Sequence, residues 1–213
     1  MPHTPTPPLD AAQYAGLESL HRDLAVCQRC AEAGHRIESL PVFSGPPDAR
    51  LMLIGQAPGV TEAQARRPFN GEAGRRLFRW LTRAGWDEGT FRRTCYMTAV
   101  TKCFPGRNPK GDGDRVPSAA ERALCRPWLA AELRLVNPQV VVPVGALAIR
   151  LFYPPDVRLD EVIGTSTIDA EGRIIVPLPH PSGASRWHSD PANLGRIERA
   201  IYELRMVRAR LGL

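Results

Sequence analysis

Residues 48–59 decide the fold of this chain, and they read Asp-Ala-Arg-Leu-Met-Leu-Ile-Gly-Gln-Ala-Pro-Gly. The apolar run from Leu51 to Ile54 has no polar residue on either face, which is typical of a strand buried on both sides in a parallel sheet. Gly55 ends the run, and Gln56 to Gly59 form a Gly/Pro turn. The stretch therefore predicts a central strand that leads directly into a loop.

Three further segments are predicted to be strands, and helical patterns separate them. These strands are Cys95–Val100, Val140–Val144 and Arg173–Leu178. The predicted helices are one capped by Asp10, one over Gly71–Ala84, one that opens at the capping box Ser118–Glu121, and one over Ala192–Leu211. This alternation predicts an α/β fold, a single domain with a central four-stranded parallel sheet flanked by helices.

The length and charge of the chain limit its class. We expect one domain over residues 9–213, after a proline-rich tail at residues 1–8 that has the composition of a disordered segment. The net charge of +6 and the pI near 9.4 favour a polyanionic partner without distinguishing DNA, RNA and an acidic membrane. No apolar run approaches the roughly 20 residues of a membrane span, so no membrane association is expected.

Four of the five cysteines have the spacing of metal ligands. Cys27 and Cys30 form a C-x2-C pair, and Cys103 and Cys125 arrive from distant segments to complete a four-thiolate shell. Such a shell holds either an iron–sulfur cluster or zinc. Cys95 is the surplus thiol and is predicted to be buried in a strand. Metal-bound thiolates in a chain without a secretory signal predict a reducing, cytoplasmic location.

The loops that follow the predicted strands are expected to form an active site. In parallel sheets the carboxyl ends of the strands meet at one edge, and ligands bind there. The four loops are Gln56–Glu62, Thr101–Arg107, Gly145–Ala148 and His180–Arg186.

In their order and separations these motifs resemble the iron–sulfur branch, families 4 and 5, of the uracil-DNA glycosylase superfamily. The resemblance spans about residues 27–211. It rests on the C-x2-C pair, residues 48–59, Arg67–Gly74, Thr98–Cys103, Cys125 and His180–Arg186. It implies a [4Fe–4S] cluster on Cys27, Cys30, Cys103 and Cys125. It also implies a monomeric base-excision-repair enzyme that hydrolyses the N-glycosidic bond of uracil, or of other deaminated bases, in DNA.

The resemblance also assigns roles in base recognition. A glycosylase must extrude the nucleotide from the stack and hold its base in a pocket. Phe69 matches the aromatic residue that stacks on the base, and His180 matches a hydrogen-bond donor to O2 that stabilises the departing negative charge. An ordinary core phenylalanine and a structural histidine are the alternatives. Further base-binding positions are Gln56, Ala57, Asn70 and Ala99.

Two positions depart from the family pattern. Family 4 usually carries Glu at the position of Gln56 and Asn at that of Ala99. Because glutamine cannot accept a proton as a base, Glu62 and Glu72 are the candidate catalytic carboxylates, with Glu62 favoured; each has the alternative role of stabilising a helix N-terminus. Loss of the amide at Ala99 predicts broadened base selectivity, with discrimination moved to Asn70 or main-chain groups.

Candidate DNA contacts lie in two loops and at the first turn. Arg107 belongs to the long loop Phe104–Pro117. A related branch of the superfamily uses a histidine in a loop near this position to trap its product covalently. This loop contains no histidine, so no covalent trapping is predicted. The other candidate contacts are Gly59, Ser182, Gly183, Ser185 and Arg186.

Two other functions remain open on sequence grounds. One is a catalytically weak relative that binds damaged or single-stranded DNA, which the departures at Gln56 and Ala99 favour. The other is a zinc-stabilised nucleotide-binding or hydrolase domain unrelated to DNA.

Overall fold

The structure is a computed structural model that describes residues 10–109, 111, 113–182, 187 and 190–213. Its centre is a five-stranded mixed sheet with the strand order β2-β1-β3-β5-β4. The strands are β1 (Leu51–Gly55), β2 (Tyr96–Ala99), β3 (Val140–Pro143), β4 (Thr167–Ile168) and β5 (Ile174–Ile175). The pairs β1/β2, β1/β3 and β3/β5 are parallel, whereas β4 pairs with β5 in the antiparallel sense.

The prediction of a four-stranded parallel sheet is therefore wrong in one respect. The four expected strands are present and parallel, but β4 adds an antiparallel edge that the sequence did not indicate. Both residues of β4 are exposed, so the segment has no apolar alternation to mark it as a strand. The predicted strand Arg173–Leu178 is also shorter, because only β5 forms a ladder and Leu178 joins Val144 through an isolated parallel bridge.

Helices cover both faces of the sheet. They are α1 (Leu17–Ala25), α2 (Arg29–Glu32), α3 (Val60–Ala65), α4 (Glu72–Arg83), α5 (Glu88–Thr94), α6 (Ala119–Val136), α7 (Ala146–Ile149), α8 (Leu159–Val162) and α9 (Pro191–Leu211). The predicted capping box at the start of α6 is confirmed, since Ser118 and Glu121 each accept the other's backbone N–H. Asp10, in contrast, caps only a 3₁₀ turn at Ala11–Gln13, and α1 begins separately at Leu17.

The unbroken apolar run of β1 follows from this layering. Leu51 and Leu53 pack into the core beneath α4 and α9, whereas Met52 and Ile54 pack into the core beneath α1 and α6. Each of these side chains is at most 1% exposed. Burial of one such side chain stabilises the fold by roughly 1.5–3 kcal/mol, so a polar residue on either face of β1 would be costly.

The topology places one crevice beside β1. The chain passes from β1 to β2 on one side and later to β3 on the other, so the direction of winding reverses there. Such a switch point leaves an opening beyond the carboxyl ends of the strands, where ligands bind in open α/β sheets. No helix in the described part of the chain is long and apolar enough to cross a membrane.

Candidate active site and cysteine-lined cavity

A pocket of about 120 Å³ lies beyond the carboxyl ends of β1, β2 and β3. Seven residues that the sequence predicted for the site line it: Gln56, Ala57, Gly59, Glu62, Phe69, Ala99 and His180. Four predicted residues do not line it: Asn70, Glu72, Arg107 and Ser182. Gly183, Ser185 and Arg186 lie outside the described residues.

Glycines give the ring of Phe69 its place in the pocket. Phe69 has a left-handed backbone (φ +52°), which a bulky residue adopts only when its surroundings hold it there. A Cβ on Gly55 would approach Phe69 Cζ to 3.0 Å, and one on Gly74 would approach the Phe69 carbonyl oxygen to 2.0 Å. Side chains at Gly55 and Gly74 would therefore displace the aromatic ring from the floor of the pocket.

The hydrogen bonding of His180 defines its tautomer. The backbone N–H of Ser182 donates to His180 Nδ1 at 3.3 Å, so in the neutral ring the proton is assigned to Nε2. Gly145 allows the ring to lie against the end of β3, because a Cβ there would be 3.2 Å from His180 Cδ2. In this tautomer the N–H donor of the His180 ring is on Nε2, and the residue lines the pocket.

Glu62 joins the two loops that border the pocket. Its Oε2 accepts the backbone N–H of Gly59 at 3.1 Å, and its Oε1 accepts that of Gly71 at 2.7 Å. Gly59 precedes α3 and Gly71 precedes α4, so one carboxylate stabilises two helix N-termini. The negative charge of Glu62 thus lies in the wall of the pocket with both oxygens hydrogen-bonded.

Glu72 lies on the outside of the molecule. Its side chain is 65% exposed and forms an ion pair with Arg75 on the same face of α4. The hydrogen bond from Arg75 lowers the pKa of the Glu72 carboxyl. The structure therefore separates Glu72 from the pocket that Glu62 lines.

Ala99 connects the pocket to a buried charged network. Its carbonyl accepts a hydrogen bond of 2.6 Å from Lys102 Nζ, which also donates to Glu132 Oε2 at 2.6 Å. Lys102 and Glu132 are 1% and 0% exposed. Thr98 and Tyr96 complete the network by donating their hydroxyl groups to the Glu132 carboxylate. The end of β2 is thereby held by a buried ion pair.

The four predicted metal ligands line a second cavity, of about 180 Å³, between α1, α2, α6 and the loop after β2. Trp128 Nε1–H donates to Cys27 Sγ at 3.2 Å, and the backbone N–H of Lys102 donates to Cys125 Sγ at 3.3 Å. N–H donors of this kind stabilise sulfur ligands that carry negative charge. Cys95, the predicted surplus thiol, is buried outside this cavity, directly before β2.

Burial in this cavity opposes ionisation of the cysteine thiols, so a positively charged partner is needed to hold them as thiolates. Burial is the main factor that raises the pKa of Cys30 to about 11 and that of Cys125 to about 12. The pKa of Cys103 is also raised, first by burial and then by the neighbouring cysteines. Among the described residues no three Cys, His, Asp or Glu side chains are grouped closely enough to hold a single ion. Cys27, Cys30, Cys103 and Cys125 nevertheless line one cavity, so their thiols are the groups that could hold a metal centre there.

Comparison with known proteins identifies the family. The family model for the uracil DNA glycosylase superfamily matches residues 42–205. The chain belongs to this superfamily. It is 33% identical over 150 residues to a Type-4 uracil-DNA glycosylase of Thermotoga maritima, which covers 70% of this chain and 73% of the relative. A Type-4 uracil-DNA glycosylase of Pyrobaculum aerophilum is 30% identical over 148 residues, which is 70% of each chain.

Relatives of the second type are similar as well. A Type-5 uracil-DNA glycosylase of Pyrobaculum aerophilum is 29% identical over 166 residues, covering 72% of this chain and 67% of the relative. Types 4 and 5 are the iron–sulfur branch of the uracil DNA glycosylase superfamily, so the family resemblance seen in the sequence is confirmed. The family match includes Cys103 and Cys125 and begins after Cys27 and Cys30.

The sequence did not indicate that Arg92 supports the pocket of this superfamily member. Arg92 donates to the carbonyls of Pro68 and Phe69 at 2.8 and 2.9 Å, and it pairs with Glu88. Its side chain is only 9% exposed and its guanidinium lies 4.4 Å from the centre of the Phe78 ring. Arg92 therefore holds the left-handed turn at Phe69, although in sequence it is one arginine among many on helix surfaces.

Asp114 is a second pocket residue that the sequence did not indicate. It belongs to the loop Phe104–Pro117, which contains an antiparallel bridge between Arg107 and Asp114. Its Oδ2 lies against Gly59, where an added Cβ would be only 2.7 Å away. Burial is the main factor that raises the pKa of Asp114; Arg107 opposes this shift and Glu62 adds to it. Asp114 was undetectable in sequence because the loop has no regular pattern.

Proposed function

We propose that this chain is a uracil-DNA glycosylase that hydrolyses the N-glycosidic bond of uracil in DNA and leaves an abasic site. The observation that carries the proposal is that Phe69 and His180, from opposite ends of the sequence, line one pocket at the switch point of the sheet. The names of the Type-4 and Type-5 relatives support the same activity. The net charge of +6 suits a DNA partner.

The mechanism follows from the charges that develop during C–N cleavage. The extruded base stacks on Phe69, and His180 Nε2–H donates to its O2 as negative charge moves onto the base. The sugar meanwhile acquires positive charge, which the carboxylate of Glu62 offsets from the pocket wall. We assign this role to Glu62 rather than Glu72, because Glu72 is exposed and does not line the pocket.

Base selectivity is proposed to be broader than in relatives that carry an amide at the position of Ala99. Gln56 and Ala57 are the remaining pocket residues proposed to contact the base, whereas Asn70, the other predicted base contact, does not line the pocket. Ala99 presents a methyl group and a carbonyl that Lys102 already engages. Without an amide at position 99, the pocket loses one donor–acceptor pair that would reject other bases. Duplexes containing uracil, hypoxanthine and xanthine should all be substrates, whereas strict preference for uracil would contradict this proposal.

DNA binding is proposed to extend from the pocket over the neighbouring loops. Arg107 is exposed on the hairpin beside the pocket, and Ser182 follows His180. The amide of Gly59 donates to Glu62, so a phosphate would have to compete for it. Gly183, Ser185 and Arg186 are also proposed to contact phosphates.

The cofactor is proposed to be a [4Fe–4S] cluster held by Cys27, Cys30, Cys103 and Cys125. A bound cluster would link α1, α2, α6 and the loop after β2 through its four cysteine ligands, and its positive charge would stabilise their thiolates. Trp128 and the amide of Lys102 orient two of the sulfurs.

Replacing Cys103 by serine should remove the cluster. We expect the purified wild-type protein to contain about four irons per chain and to absorb broadly in the visible range. The Cys103→Ser variant should lose most of both, because one of four ligands is gone. Cys95→Ala is the matched control and should keep its iron, since Cys95 lies outside the cavity. A colourless wild type that binds zinc instead would contradict the assignment.

The proposed activity is tested by release of uracil from DNA. Wild-type protein with its cluster is incubated with single- and double-stranded oligonucleotides that contain one uracil, and the abasic sites are cleaved with alkali and counted. We expect strand cleavage only at the uracil position. Binding to these oligonucleotides without base release would instead favour the catalytically weak, DNA-binding relative, for which Gln56 in place of a carboxylate is the supporting observation.

A further inference from the structure

Asp114 has a place in the active site that no family motif assigns to it. Within the part of the chain that the structure describes, only Glu62 and Asp114 bring carboxylates to the wall of the pocket. Each oxygen of Glu62 accepts one backbone N–H group, so this carboxylate already serves to hold the turns that precede α3 and α4. Gln56 lines the same pocket with an amide, which cannot take a proton at neutral pH. Asp114 is the other carboxylate of the pocket and therefore a second candidate for the base.

The hairpin that carries Asp114 is firmly anchored. Its two arms meet at the bridge between Arg107 and Asp114, and Asn108 N–H donates to the Gly113 carbonyl at 3.0 Å. The adjacent Arg115 donates to the Pro105 carbonyl at 2.8 Å and forms an ion pair of 2.6 Å with Glu121. The Glu121 side chain is 2% exposed at the start of α6. These contacts fix the backbone on both sides of Asp114.

The position of the Asp114 carboxylate is defined by Gly59. Added to Gly59, a Cβ would lie 2.7 Å from Asp114 Oδ2 and 2.9 Å from Glu62 Oε2. The two carboxylates thus approach the same point of the turn after β1, one from the hairpin and one from α3. Because Gly59 has no side chain, the Asp114 carboxylate has room to lie against the turn. Any side chain at position 59 would push Asp114 away from the pocket.

We propose that Asp114 is a catalytic carboxylate that binds the attacking water and accepts its proton. This inference rests on the proposed glycosylase function. The water oxygen forms a bond to C1′ of the sugar and gives one proton to Asp114. The C1′–N1 bond breaks, and its electron pair leaves with the base, whose O2 accepts from His180 Nε2–H. Asp114 then passes this proton to the departing base anion, or releases it to solvent while solvent protonates the base, and either route restores the Asp114 carboxylate.

The electrostatic surroundings of Asp114 favour a base of useful strength. The charged groups that face it are Glu62 on α3 and Arg107 on the opposite arm of the hairpin. Burial and the negative charge of Glu62 raise its pKa, and Arg107 limits the rise. A carboxylate whose pKa is raised holds a transferred proton more strongly than an ordinary aspartate does.

The test compares Asp114→Asn with wild type by single-turnover release of uracil from a saturating oligonucleotide. We expect the rate to fall by about 10²- to 10⁴-fold, the usual contribution of a positioned base. Affinity for a non-hydrolysable uracil analogue in DNA should be unchanged or tighter, because a negative charge has been removed. Asp156→Asn is the matched control, because Asp156 is exposed and does not line the pocket. This variant should retain the wild-type rate.

The pH dependence separates a catalytic role from a structural one. Asp114 acts only when deprotonated, so the wild-type rate should fall as the pH drops through its raised pKa, and Asp114→Asn should lack this acidic decline. Asp114→Glu keeps a carboxylate and should recover part of the rate. A rate for Asp114→Asn within threefold of wild type would overturn the inference, as would a large loss with an unchanged pH profile. A wild-type protein that releases no uracil would instead overturn the proposed function itself.

Discussion

Replacing Lys102 by alanine should lower the free energy of unfolding by about 3–5 kcal/mol, because it leaves a buried carboxylate without its counter-charge. Glu132 is 0% exposed, so the carboxylate left behind is shielded from bulk water. The remaining partners of Glu132 are the hydroxyls of Tyr96 and Thr98, which are neutral. Since domains are stable by only about 5–15 kcal/mol, this loss is a large part of the total.

The free energy of unfolding is measured by urea denaturation, followed by far-UV circular dichroism. The iron content of each variant is measured as well, so that proteins with the same cluster content are compared. The double variant Lys102→Met/Glu132→Gln removes both charges and should recover most of the lost stability. Arg158→Ala is a surface control, because Arg158 is 71% exposed in its pair with Asp160; it should cost less than about 1 kcal/mol. Equal stability of Lys102→Ala and wild type would contradict the argument.

Lys102 contacts residues of both cavities. Lys102 Nζ donates to the carbonyl of Ala99 in the base pocket, and the backbone N–H of Lys102 donates to Cys125 Sγ. Its neighbour Cys103 is a proposed cluster ligand. Lys102 is therefore a physical link between the proposed cluster and the proposed active site, through which loss of the cluster would reach the end of β2.

The parts of the fold that the sequence predicted are those that one apolar pattern determines. The run from Leu51 to Ile54 must be a central strand because both of its faces are buried. The capping box at Ser118 marks the start of α6 through two local hydrogen bonds. β4 was missed because Thr167 and Ile168 are exposed and are held only by pairing with β5, which the local sequence does not encode. Leu194 has the helical spacing of the buried Ile197 and Ile201 on α9, yet it is 50% exposed.

The site was predictable where motif residues lie next to strand ends. Gln56, Ala99 and His180 follow or end strands, so the topology alone brings them together. Asp114 lines the same pocket from an irregular hairpin, and Arg92 on α5 supports the pocket residue Phe69 by a hydrogen bond to its carbonyl. Neither spacing nor composition distinguishes them from solvated charges, and only the three-dimensional arrangement shows that they are not.

Replacing His180 by alanine should reduce the single-turnover rate of uracil release by about 10²- to 10³-fold, which is the usual cost of removing one donor to a developing oxyanion. The donor acts on charge that appears only as the C–N bond breaks. Affinity for uracil-containing DNA should therefore change much less than the rate. Thermal stability should stay close to that of wild type, since His180 is only partly buried.

The hydrogen bond from Ser182 makes a sharper prediction about which variant rescues the activity. Because His180 Nδ1 accepts this N–H, the donor must be Nε2, which lies one bond further from the backbone. The side-chain amide of glutamine reaches the position of Nε2, whereas that of asparagine reaches only the position of Nδ1. His180→Gln should consequently retain more activity than His180→Asn. The reverse order would show that the ring acts through Nδ1, and the assignment of the donor to Nε2 would then be wrong.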